Sequence, residues 1–119
     1  MKTVVMPIHK KWFDMILYGD KKEEYRKIGD YWRKRLLVDK VDRIKFVNGY
    51  GKNKPFLVVE LKDIRMGTGK EEWGAVPGEN YYILELGEKI TYGNIKVRAM
   101  VEAKGGNGNW LFFYLLLFI

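Results

Sequence analysis

An α+β fold in one domain is predicted for this chain, and three observations predict it. Ile8, Trp12, Phe13, Ile16 and Leu17 recur at helical spacing, so one face of residues 9–18 is apolar. From Lys22 onward the period changes to two, the signature of a strand with two distinct faces. Most of the remaining chain consists of short runs rich in Val, Ile, Phe and Tyr, separated by Gly, Asn and Pro clusters. A length of 119 residues suits one domain with one core.

The elements follow in order. Residues 3–6 are short and β-branched, a first strand that Pro7 is expected to end. The helix of residues 9–18 comes next. Gly19 reads as the residue just past its end, where a left-handed backbone is easiest without a Cβ. Residues 22–28 form the second strand, with Glu24 and Arg26 on one face and Glu23, Tyr25 and Lys27 on the other. Lys21, in the turn, is free to lean over the Glu24/Arg26 face. Gly29-Asp30 reads as a break with Asp30 as a candidate N-cap. Residues 31–37 follow as a short helix, with Trp32 and Leu36 inward and Arg33, Lys34 and Arg35 outward.

Residues 41–48 and 56–64 read as strands around a loop, residues 48–54, rich in types that tolerate positive φ. That loop lacks the full pattern of a nucleotide-binding P-loop. Residues 65–80 read as a long glycine-rich loop with one helical turn at 70–73. Residues 81–86 are a strand and Gly87-Glu88 a turn. Residues 90–92 and 95–101 are expected to pair as a hairpin about Tyr92-Gly93-Asn94. Residues 105–109 have linker composition, and residues 110–119 are uniformly uncharged and apolar or aromatic. Ten such residues are too few for a helix to span a bilayer, where about 20 are needed. Three roles are open to this tail: a buried strand completing a barrel, a contact with a second copy in a homodimer, or rest on a membrane surface. The first two are favoured, because an exposed strand of this kind would aggregate.

The net charge of +7 is unevenly placed. Residues 1–65 carry 17 Lys/Arg against 9 Asp/Glu, and residues 66–119 carry 5 against 6. That asymmetry suggests an anionic partner for the first half. A lysine-rich soluble surface is the plainer account. There is no cysteine, which excludes disulfides and thiolate metal sites and fits a reducing cytoplasm. His9 is the only histidine and reads as an exposed helix-end residue, so no metal centre is expected. No cofactor is expected. The apolar run near the N-terminus stops at Ile8, too short for a secretory signal.

The organising stretch is Gly19-Asp20-Lys21-Lys22-Glu23-Glu24-Tyr25-Arg26. Its Gly-x-Lys-x-x-Glu-x-Arg pattern resembles the signature of the ASCH (activating signal cointegrator homology) domain. Trp12 and Leu17 before it, Tyr31-Trp32-Arg33-Lys34-Arg35-Leu36 after it, and a late Trp73-Gly74 followed by Tyr81–Gly87 also fit, so the resemblance covers roughly residues 4–90. It implies a small PUA-like β-barrel with flanking short helices over residues 1–104. It also implies an RNA-binding module with a basic cleft.

In that cleft Lys21 and Arg26 would hold phosphates or a base edge, and Glu24 would orient Arg26 or accept from a base. Arg33, Arg35, Tyr50 and Lys52 would add phosphate contact and stacking around an RNA or nucleotide-like ligand. Spacing alone would favour a surface salt-bridge cluster of little energetic consequence. The alternative is a small hydrolase acting on RNA or modified nucleosides. ASCH-like amidohydrolases pair the motif lysine with a threonine nucleophile three residues later and a distant glutamate. Here Glu24 stands at the threonine position, and Glu60 matches the glutamate by strand position only. A Lys21/Glu24 acid–base pair is what that chemistry would have to use, with Glu60 as third candidate. For Glu60, inside an apolar strand, a structural ion pair is the plainer expectation.

Overall fold

The computed structural model describes residues 2–104 and 110–118, with side chains described for residues 2–95. The expected linker at residues 105–109 lies outside the described residues. Strand β1 (Thr3–Ile8) leads into helix α1 (Lys10–Leu17), and strand β2 (Glu23–Lys27) follows. A single turn, α2 (Asp30–Trp32), continues as a wider π-helical segment, Arg33–Val38. Strands β3 (Arg43–Asn48) and β4 (Phe56–Thr68), a 3-10 turn at Glu71–Trp73, and strands β5 (Asn80–Gly93), β6 (Lys96–Lys104) and β7 (Trp110–Phe118) complete the order.

β1 to β5 form one mixed sheet in the order β1-β3-β4-β5-β2. β1 runs parallel to β3, and the other pairings are antiparallel. The chain is therefore α+β. The sheet is open: β1 and β2 are its edges and do not pair, so these five strands do not form the closed barrel implied by the resemblance. Helix α1 connects one edge to the other. Pro7 does not end β1, which runs on to Ile8. An edge strand tolerates proline because one of its sides needs no ladder donor.

The inner face of the sheet follows from alternation. Val4, Ile44 and Val59 lie in register across β1, β3 and β4, and Met6, Phe46 and Leu57 form the next row. All six are buried, with Leu84 of β5 beside them in the core. Phe13 and Ile16 of α1 and Leu36 of the π-helical segment cover this face. A second, smaller cluster of Tyr25, Ala75 and Ile83 lies apart from it. It forms because the chain at 69–75 folds back over β2, so β2 is buried on both faces. The two clusters explain why Glu24 and Tyr25, adjacent in sequence, are both buried.

Three local expectations change. Gly87-Glu88 is not a turn. β5 continues through it, and two residues stand opposite Glu60 as a β-bulge, with Val59 facing Lys89 and Leu61 facing Leu86. Residues 90–92 and 95–101 do not form a hairpin, because β5 runs on to Gly93 and pairs there with residues 56–59 of β4. β6 pairs with β7 instead, in a separate two-stranded sheet. The apolar tail is thus a strand, but it adds to β6 and does not complete the main sheet. Asp30 does not cap α2. Gly29 holds that position, and the Asp30 carboxylate accepts from Arg33 Nε at 3.1 Å. Among the described residues, no helix is long and apolar enough to cross a membrane.

Candidate functional site: a cleft at the open edge of the sheet

Helix α1 ends in a way that places Lys21. Gly19 adopts φ +86°, with its N–H donating to Ile16 O and that of Asp20 donating to Met15 O. This pair of bonds closes the helix in a Schellman motif. The Lys21 N–H also donates to Met15 O at 3.0 Å, so the turn folds back under the helix. Lys21 is then carried inward instead of out over the strand.

The Lys21 side chain has no solvent exposure, and Glu24 and Arg26 retain 10% and 18%. Lys21 Nζ lies 3.3 Å from Glu24 Oε1, and Arg26 Nη2 donates to Glu24 Oε2 at 3.0 Å. Glu24 Oε1 also accepts from the Tyr25 N–H at 2.9 Å. The Lys21 ammonium donates to the Trp73 carbonyl and lies 5.0 Å and 5.1 Å from the rings of Trp12 and Tyr25. Burial pushes the Lys21 pKa down, and the Glu24 charge opposes that shift. The trio is a buried, shared-carboxylate network and not a surface cluster. Lys21 is thus engaged with Glu24, which in turn engages Arg26.

Beside the trio is a cleft of about 320 Å³. Pro7 and Ile8 from edge β1 and Glu24 and Arg26 from edge β2 line it, so it opens where the sheet fails to close. His9, Lys10 and Trp12 of the α1 region, Asn48 at the end of β3, and Gly49 and Tyr50 of the β3–β4 loop complete the walls. Tyr50 is 82% exposed. The Arg26 guanidinium lies 5.1 Å from the Trp32 ring, and its Nε is buried with no hydrogen-bond partner among the described residues.

The other candidates scatter. Glu60 is exposed and has no ion pair among the described residues. It lines a separate recess with Lys22, Glu23, Lys62 and Trp73, so it does not join Lys21 and Glu24. The period-two pattern puts Glu60 on the opposite face from buried Val59 and Leu61. Arg33 is exposed and paired with Asp30. Arg35 lies 3.5 Å from the exposed Tyr31 ring and lines a different recess beside β1. Lys52 is exposed in the β3–β4 loop but is not part of the cleft wall.

Three contributors were not legible as site residues. Trp12 reads as core from its helical spacing, and His9 as an exposed helix end, yet both line the cleft. The Trp73 carbonyl is backbone, and nothing in sequence marks it as the Lys21 acceptor. No family model, curated protein or solved structure matches this chain significantly.

Proposed function

We propose that this chain is an RNA-binding module of ASCH-like, PUA-like character that takes an unpaired base into the cleft between β1 and β2. The observation that carries the reading is the pairing of a fixed Arg26 guanidinium with aromatic walls, Trp12 and Tyr50, in one cleft. Its volume is at the low end of the roughly 300–1,000 Å³ range of small-ligand sites. Glu24 uses both oxygens within the trio, so Arg26 is the group that reads the base or its phosphate. Tyr50 supplies a stacking face. Lys10 lines the cleft, and Lys52 and Lys54 are exposed in the loop that carries Tyr50, so these cations would attract the backbone without reading sequence.

The test is a titration with labelled short single-stranded and duplex RNA at two salt concentrations, with product analysis of the same samples. Salt-sensitive binding that favours single strands and leaves the RNA intact is expected. Equal affinity for single strands and duplex would sink the unpaired-base reading. The alternative, a hydrolase using Lys21 and Glu24, draws on the lowered Lys21 pKa and the 3.3 Å contact. Cleaved product that disappears in Glu24→Gln would select it.

A further inference from the structure

We infer that Gly74 and Lys21 are positioning residues for Trp12, and that the segment around residues 69–75 acts as a strap that sets the aromatic wall of the cleft. The strap is tied to the motif at two points. The Lys70 N–H donates to Tyr25 Oη at 2.9 Å, and the Trp73 carbonyl accepts from Lys21 Nζ. Between Trp73 and buried Ala75, Gly74 adopts φ +103° and lies against the Trp12 ring. A Cβ at Gly74 would stand 3.1 Å from Trp12 Cζ2 and 3.2 Å from Cε2. Real contacts are rarely that short, so the indole would have to shift. The left-handed backbone independently disfavours any side chain there.

The second support comes from Lys21. Its ammonium sits 5.0 Å from the Trp12 ring while bonded to the carbonyl just before Gly74. One buried cation thus links the strap to the indole by a cation–π contact. Trp12 is only partly buried and lines the cleft, so moving it changes the cleft and not merely the core. The strap residues themselves do not line that cleft. Their effect on a ligand must pass through Trp12.

The binding arm of the test rests on the RNA reading above. In the full chain, Gly74→Ala is combined with Trp12→Phe in a double-mutant cycle against a labelled single-stranded RNA. Gly74→Ala should weaken binding about tenfold, near the lower end of what losing one aromatic–base stack does. In the Trp12→Phe background the same change should cost less than about twofold, because acting through one residue makes the effects non-additive. Equal losses in both backgrounds would overturn the inference.

A second arm needs no RNA. In 5-fluorotryptophan-labelled protein, the Trp12 ¹⁹F resonance is assigned by its loss in Trp12→Phe. It should shift in Gly74→Ala and in Lys21→Met while the Trp32 resonance stays in place. An unmoved Trp12 resonance overturns the inference whatever RNA does. If the parent binds no RNA but the Trp12 resonance moves as expected, the functional reading fails and the positioning role stands.

Discussion

Removing Glu24 should destabilise this protein far more than removing Lys21. Among the described residues, Glu24 is the carboxylate shared by a wholly buried ammonium and a mostly buried guanidinium. Glu24→Ala leaves the Lys21 charge without its counter-charge and the Tyr25 N–H without its acceptor. Stranding one member of a buried pair costs about 3–5 kcal/mol. Lys21→Met keeps the volume, and Glu24 retains Arg26 and the Tyr25 N–H. The main loss is then the hydrogen bond to the Trp73 carbonyl, worth about 1–3 kcal/mol when a buried acceptor is left unmade. In urea, with a slope of about 2 kcal/mol/M for a domain of this size, Glu24→Ala should lower the unfolding midpoint by about 2 M and Lys21→Met by about half that or less. Adding Lys21→Met to Glu24→Ala should recover stability, because it removes the stranded charge. A loss below about 1 kcal/mol for Glu24→Ala would refute the network, since that is the range of an exposed pair. So would a larger loss for Lys21→Met than for Glu24→Ala.

Further outcomes follow from the same geometry. Tyr50→Ala should weaken single-stranded RNA binding by about 1–3 kcal/mol in a fluorescence titration with an unchanged thermal midpoint, because Tyr50 is a mostly exposed wall. Arg26→Ala should lower both affinity and the salt slope, the latter by about 1 if Arg26 contacts a phosphate; an unchanged slope would assign Arg26 to the base instead. Phe46→Ala should cost about 3–5 kcal/mol in urea unfolding, since the ring is fully buried in the row with Met6 and Leu57. Burial first, with the Glu23 carboxylate raising it further, pushes the Tyr25 hydroxyl from 10.0 up to about 12. Between those values the unfolded chain holds fewer protons than the folded one, so stability falls as pH rises from 10.0 towards about 12. Tyr25→Phe should flatten that part of a midpoint-against-pH curve.

The secondary structure was largely open to reading because each element is governed by its neighbours in the chain. The apolar stripe of α1, its glycine stop and the alternation in β2, β3 and the first half of β4 all report local periodicity. Two of the misreadings share one cause. Gly87-Glu88 and Tyr92-Gly93-Asn94 have turn chemistry, and pairing with residues 56–61 of β4 converts the first into a bulge and carries the second into a strand end. Turn propensity there is outweighed by a ladder that no local window contains. The grouping of Lys21, Glu24 and Arg26 was legible for the opposite reason, since all three lie within six positions on one turn and strand.

Composition and period were enough to establish an α+β chain, an amphipathic first helix, and a charged motif held at a helix-to-strand turn. These depend on interactions a few residues long. Burial of the motif depends on contacts about 50 residues apart, between Lys21 and the Trp73 carbonyl and between Tyr25 and Lys70. The open edge depends on which strands find each other, β1 beside β3 and β2 beside β5. Only that long-range pairing turns a charged sequence motif into a shielded network with a cleft beside it. Burial removes the water that would otherwise screen the charges, so the same three residues gain their strength from the fold.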